Sequence, residues 1–320
     1  MATVLVTGGS GFIGSWVVRH LLGDVRVARI INLDIQHECG TDIRVTNVNG
    51  DLSEISSQIS DADRMSIDYI AHLAAKPGVR WSQTHPMECV ATNVLGTVHL
   101  LEFARKCPQL KRIILASSSS VYGDAQNAST TEPNSIYAAS KISAELVARS
   151  YTHLFALDIV CLRFFTVYGP NGRNDMAVPR FIEGIANDEK ITIYGDGLHS
   201  RDFTYVEDIS RGVALAIFSD QLNSKFTVMD IGGGESLTIL RLIEIIKSEL
   251  RKNTVDIQFL PAQPGDVVET KSDLSAPLEL IGYTPSVSIE EGIKRTVEWY
   301  LAVKTVAYFY LFFVSIFLTH

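Results

Sequence analysis

The stretch TVLVTGGSGFIGS, residues 3–15, decides the fold. Five residues rich in β-branched side chains run into Gly8, and Gly11 and Gly14 follow at three-residue steps, just where an amphipathic pattern over 12–22 begins. In a strand–turn–helix unit the first glycine allows the tight turn and the second lets backbone approach a pyrophosphate. The third lets helix and strand pack closely, while the helix N-terminus offers unpaired N–H groups and the positive end of its dipole. A glycine-rich turn alone would fit the triplet equally well, so its context carries the reading. Asp34 ends the next strand-like run, twenty residues beyond Gly14, where a carboxylate accepts hydrogen bonds from an adenosine ribose. That placement favours NAD over NADP, whose 2′-phosphate would meet like charge. Asp51 and Leu52, after a third run, are placed to contact adenine.

Outward from this unit, runs at 28–34, 44–51, 68–74, 112–118 and 158–164 read as strands, and 87–107 and 136–154 as helices. Such alternation predicts an α/β, Rossmann-type doubly wound parallel sheet. Near-continuous apolar strands agree with a sheet covered on both faces. After Tyr168 a Gly-Pro-Asn-Gly loop breaks the rhythm. Strands at 191–194, 202–206 and 226–231 and helices at 177–187, 207–218, 237–252 and 289–303 then read as a smaller C-terminal α/β lobe that returns segments to the main sheet. The expected organisation is a cofactor domain at 1–168, a substrate lobe at 169–303 and an apolar tail at 304–320.

A net charge of −8, with no basic run, argues against nucleic acid as the main partner. Cys39, Cys89, Cys107 and Cys161 lack metal-ligand spacing and read as idle thiols, and no metal is expected. A strand-like run beginning at residue 3 leaves no room for a signal peptide, so a cytoplasmic location is expected and the sequon at Asn127 carries no meaning. The tail VAYFYLFFVSIFL (306–318) is about 20 Å long as a helix. A bilayer core needs about 30 Å. A spanning helix is therefore disfavoured, which leaves a surface-lying or partner-covered helix or a tail without a role.

YAASK at 137–141 places Tyr137 and Lys141 one helical turn apart on one face. A free phenol has a pKa near 10, and lowering it by about 3 units takes roughly 4 kcal/mol. A neighbouring ammonium and a cationic nicotinamide ring together offer that. Upstream, ASSSSVYG (116–123) ends a strand with Ser118 in reach of the same substrate oxygen, at the strand ends where open parallel sheets bind ligands.

With GxxGxxG, Asp34, HLAA (72–75), Asn93, the serine run, YxxxK, LRFFTVYGP (162–170) and RDFTYVEDI (201–209), residues 3 to about 303 resemble the extended short-chain dehydrogenase/reductases, specifically nucleotide-sugar epimerases and dehydratases. The resemblance implies Ser118, Tyr137 and Lys141 as the catalytic triad. It implies cofactor contacts from Gly8, Gly11, Phe12, Ile13, Gly14, Asp34, Asp51, Leu52, Leu73, Ala74, Ala75, Lys76 and Asn93, with Tyr137 and Lys141 contributing. It also implies a phosphate-binding Arg201, nucleotide contacts from Val178 and Arg180, sugar contacts from Ser119, Ser120 and Thr166, and a homodimer built on the helices at 87–107 and 136–154. One departure is Gln263, where many relatives carry a second phosphate arginine.

The resemblance leaves several reactions open. Dehydratases of the group carry Asp-Glu just before VYG, and decarboxylases carry a glutamate at the second position; here Ser119 and Ser120 stand there. Hydroxyls donate and accept hydrogen bonds but do not replace a carboxyl group in proton transfer. A 4-keto sugar would then be held and reduced again from its other face, which is C4 epimerisation of a UDP-sugar. UDP-glucuronate is favoured by the hydroxyl-rich stretch with Thr166 and by VYGPNGRNDMA (167–177), with UDP-glucose next. A lyase with its carboxylate elsewhere is the first alternative. Glu145 is expected on the outer part of its helix and so out of reach. A non-catalytic NAD sensor is the second, disfavoured because Tyr137 and Lys141 are both present.

Overall fold

The computed structural model describes residues 1–36, 39–40, 42–124, 130–262 and 267–318, with side chains described to residue 305. Seven parallel strands form the main sheet: β1 (Ala2–Thr7), β2 (Val27–Asp34), β3 (Val45–Asn49), β4 (Tyr69–His72), β5 (Arg112–Ser118), β6 (Ile159–Phe164) and, from the second half of the chain, β10 (Phe226–Ile231). Their order is β10-β6-β5-β4-β1-β2-β3, so the direction of winding reverses between β1 and β4. A crevice opens at that switch point, at the carboxyl ends of the strands.

The central strands are largely apolar because both faces are covered, whereas the edge strand β3, Val-Thr-Asn-Val-Asn, is mixed and partly exposed. In β1, Val4 and Val6 face one core and Leu5 the other; in β5, Ile114 and Ala116 join the first and Ile113 and Leu115 the second. The first core packs beneath helices Phe12–Gly23 and Val206–Phe218, the second beneath Gly96–Ala104 and Ile136–Phe155. His72 lies at the seam, buried between the hydroxyls of Thr7 (2.8 Å) and Thr97 (3.1 Å). Burial holds its imidazole neutral by lowering the pKa to about 3.

The smaller lobe has its own core around Phe181, Ile185, Ile193, Leu242 and Ile246. It contains two short sheets. One pairs β8 (Ile191–Tyr194) with β12 (Ile257–Leu260); the other runs β11 (Ser236–Thr238), β9 (Ser200–Tyr205), β7 (Thr166–Tyr168). Strands β7, β11 and β12 were not expected, being three or four residues long with little periodicity to detect.

The segment expected as one helix over 87–107 is broken by a π-helical turn, Ala91–Leu95, between Pro86–Val90 and Gly96–Ala104. Such turns recur at functional sites, and this one carries Thr92 and Asn93. All four cysteines are buried and free. Among the described residues no helix is long and apolar enough to cross a membrane. The side chains of 306–318 lie outside the described residues, as do Asn127-Ala128-Ser129 and Gln263.

Candidate active site

A cleft of about 1010 Å³ runs along the carboxyl ends of the strands from β3 to the second lobe. Its nucleotide end is lined by Gly8, Gly11, Phe12, Ile13, Gly14, Asp34, Asp51, Leu52, Leu73, Ala74, Ala75 and Lys76. Gly8 and Gly14 stand where nothing larger fits. A Cβ on Gly14 would fall 2.0 Å from the Gly8 carbonyl oxygen, and one on Gly8, at φ +74°, would fall 2.7 Å from Ala74 Cα. The bare backbone lets the helix Phe12–Gly23 start hard against the end of β1, its N-terminus opening into the cleft. Both carboxylate oxygens of Asp34 are oriented by backbone, accepting from Ser10 N and Gln36 N at 2.9 Å each. Asp51 caps the turn at Leu52–Glu54, and the Ser53 hydroxyl it accepts holds its carboxyl below the usual range. This glycine cradle, with a carboxylate at the end of β2 facing the cleft, fits NAD.

Asn93 was expected at the cofactor but does not line the cleft. It is buried behind the wall, bonding both backbone groups of Lys76 (2.8 and 3.1 Å) and the Ser140 hydroxyl (2.9 Å). It therefore acts by holding the Lys76 segment against the helix that bears Tyr137.

At the chemical end, Ser118, Ser119, Ser120, Tyr137, Lys141 and Thr166 line one wall together. Ser118 ends β5 and caps a 3₁₀ turn, Ser119–Tyr122, accepting from the Ser120 amide (3.2 Å) and hydroxyl (2.9 Å). The turn closes at Gly123, φ +55°, where a Cβ would strike the Glu132 carbonyl. Helix Ile136–Phe155, capped by Ser135, presents Tyr137 with its phenol hydrogen-bonded to Ser118. The Tyr137 amide is bonded to the Ser82 hydroxyl (3.1 Å).

Lys141 lies one turn beyond Tyr137 on the same helix. Its Nζ donates to the Ala116 carbonyl (3.0 Å) and stands 6.0 Å from the Tyr137 ring centre. Burial lowers its pKa to about 8. The Tyr137 phenol is itself pushed up by burial; the Ser118 hydrogen bond and the nearby Arg173 charge act the other way. The pair alone does not generate a phenolate, so further positive charge is needed at the ring.

Arg201 lines the cleft from β9. In the same motif Asp202 and Asp208 are structural. Asp202 accepts from the Gly233 and Gly234 amides and Ser272, and Asp208 from Ser286 and Val287. Val178 and Arg180 are not among the described lining residues: Val178 is packed in the core of the small lobe, and Arg180 is half-buried in the same helix. Sequence reasoning missed Arg173, Asn171 and Met176, all on the cleft wall. All three lie within the VYGPNGRNDMA stretch, whose cation was the available signal.

Glu145 corrects another expectation. It is 3% exposed and turned inward, bonded to the Ser117 hydroxyl (2.5 Å) and paired with Arg163 (2.7 Å). An inward carboxylate is tolerable because a guanidinium meets it.

A family model described as the NAD dependent epimerase/dehydratase family matches residues 4–232. A UDP-glucuronate 4-epimerase of Thermodesulfobacterium geofontis is 35% identical, covering 93% of this chain and 96% of its own. Among solved structures, the UDP-glucuronic acid 4-epimerase of Bacillus cereus in complex with UDP-glucuronic acid and NAD superposes with a TM-score of 0.87 at 32% identity, over 94% of this chain and 99% of that one. The UDP-glucose 4-epimerase of Thermotoga maritima with UDP-glucose gives 0.86 at 29% identity, over the same shares. By sequence, fold and the match along its length, the chain belongs to the NAD dependent epimerase/dehydratase family.

Proposed function

We propose that the protein is an NAD-dependent UDP-sugar 4-epimerase, an isomerase, with UDP-glucuronate as its preferred substrate and UDP-glucose next. One observation carries the reaction type: the lining carboxylates among the described residues, Asp34 and Asp51, both lie at the nucleotide end. β2, which bears Asp34, is three strands from β5, or about 14 Å at the usual strand spacing. Around Tyr137 the wall offers hydroxyls and a guanidinium, and the nearby Glu145 is occupied by Ser117 and Arg163. Among the described lining residues a keto sugar formed there meets no carboxyl group able to take the C5 proton or release a substituent, and Asp175, nearby, is paired with Arg173.

NAD, held by the glycine cradle and Asp34, would supply a reversible hydride acceptor at C4. Tyr137, as phenolate, takes the proton of the C4 hydroxyl, and Ser118 donates a hydrogen bond to the oxygen that becomes the ketone. Ser119, Ser120 and Thr166 hold the pyranose rim. After the sugar turns over, Tyr137 would return the proton to the C4 oxygen as the carbon is reduced again on its opposite face. Substrate and product have the same mass and no net redox change occurs.

The preference for an acidic sugar is supported by Arg173, which lines the cleft near Tyr137 with its guanidinium held by Asp175, so that a sugar carboxylate would share or displace that pairing. A panel of UDP-sugars incubated with protein and NAD, followed by NMR and mass spectrometry, tests the reading. A C4 epimer of unchanged mass is expected, fastest from UDP-glucuronate. Loss of water would make it a dehydratase, and loss of carbon dioxide a decarboxylase.

The cofactor domain is proposed as 1–168, with helix Val206–Phe218 and β10 returning to it and with β7 at its end pairing into the small lobe's sheet; the substrate lobe is mainly the rest up to 303. A homodimer is supported by exposed apolar side chains on the two expected helices: Met87, Val90 and Leu95 on one, Ile136, Leu146 and Leu154 on the other. Gel filtration at micromolar concentration is expected to give twice the monomer mass.

A further inference from the structure

We propose that Glu145 is a positioning residue that, through Arg163 and Tyr122, fixes the serine turn relative to Tyr137 and Lys141. The kinetic half of this rests on the epimerase reading. Glu145 lies one turn past Lys141 and two past Tyr137 on the same face of helix Ile136–Phe155. Its Oε1 accepts from the Ser117 hydroxyl (2.5 Å) and Arg163 Nε (3.0 Å), and its Oε2 from Arg163 Nη2 (2.7 Å). Ser117 and Arg163 are register partners on β5 and β6, so one carboxylate clips both strand ends to the helix.

The chain of contacts continues. The Arg163 guanidinium lies 4.8 Å from the centre of the Tyr122 ring. Tyr122 closes the turn whose first two residues are Ser119 and Ser120, and its hydroxyl donates to Asp230 on β10 (2.6 Å). Asp230 in turn accepts from the Asp273 amide (3.1 Å). The turn is thus held at both ends: at Ser118 by the end of β5, and at Tyr122 by this buried chain.

A buried ion pair is a weak source of stability and a better source of registry. This one connects the only two described segments that must agree on the position of one sugar oxygen, the helix with Tyr137 and the turn that begins at Ser118. Misplacement by about 1 Å costs about 100-fold in rate. A pair serving stability alone would not need to reach the turn.

Glu145→Gln and Tyr122→Phe test the proposal in the full-length protein with NAD bound. Tyr122→Phe keeps the ring but removes the hydroxyl that hydrogen-bonds both Arg163 and Asp230, so it decides the matter if Glu145→Gln does not fold. Two readouts are taken. Amide hydrogen exchange over Ser118–Gly123 is expected to speed up about tenfold or more, with β1 unchanged as internal control. In steady state kcat is expected to fall about 10- to 100-fold with KM within about twofold. Unchanged exchange over the turn, or an unchanged kcat in a folded variant, overturns the proposal. A wild-type protein inactive on every UDP-sugar would sink the epimerase reading instead, and the exchange result would still decide the role of Glu145.

Discussion

At its nucleotide end the cleft is shaped by missing side chains, whereas at its chemical end it is shaped by side chains that hold one another. Gly8 and Gly14 leave no room even for a methyl group. By contrast Tyr137, Ser118, Ser120 and Lys141 each carry at least one hydrogen bond to a neighbour. The first kind of site is fixed by steric exclusion and tolerates no addition. The second is fixed by partners and fails when one is taken away. Substitutions that add a carbon at one end and remove an oxygen at the other therefore probe the contrast directly.

The largest effect is expected at the chemical end. Tyr137→Phe should lower kcat by about 10²- to 10⁴-fold, the usual contribution of a positioned acid–base group, with NAD affinity retained. Near-normal turnover would remove the tyrosine from the mechanism. Gly14→Ala adds one methyl group against the Gly8 carbonyl; a loss of about 1–3 kcal/mol in unfolding free energy is expected. Calorimetry checks this, and a parallel titration should show NAD binding weakened beyond what the loss of folded protein explains. An unperturbed variant would show that the backbone has slack the structure does not reveal.

Lys141 gives a pH signature of two opposite signs. Its pKa is lowered to about 8, chiefly by burial, so its ammonium is lost as pH rises through that value. Without it the phenolate loses a favourable charge, and kcat/KM should decline above about pH 8. Stability should move the other way. Because the unfolded lysine titrates near its ordinary 10.5, the unfolded chain holds the extra proton between about 8 and 10.5, and this residue's contribution rises with pH across that window. Denaturant titrations of wild type and Lys141→Met should differ in that slope. The smallest effect belongs to Asp34→Asn. One carboxylate hydrogen bond to ribose is worth about 1.5 kcal/mol, and NAD should bind about tenfold more weakly. Equal affinity would place the ribose elsewhere.

The same contrast explains what was legible before any coordinates. The glycine spacing, Asp34 and the YxxxK pair are local signals, complete within a few residues of chain, and the main strands announce themselves by apolar runs with both faces covered. What stayed hidden was nonlocal. Glu145 reads as an outer carboxylate because burying a lone charge is costly; only β6, which brings Arg163 opposite it, makes an inward orientation affordable. Asn93 shows the same limit. Its neighbourhood reads as plain helix, but the π-helical turn Ala91–Leu95 and the bonds to Lys76 depend on a segment seventeen residues earlier. Arg173 carried a weak local signal and became meaningful only when the fold set it on the cleft wall.

The strand β10 has a consequence for biosynthesis. It forms the outer edge of the main sheet beside β6, but some sixty residues of the second lobe are made between the two. A ribosome releasing the chain in order would present β6 with its free flank bare, a row of unpaired amides and carbonyls open to any passing strand. Only when Phe226–Ile231 emerges does that flank close. The main sheet thus gains its seventh strand only after most of the second lobe has been made, which couples the completion of the two.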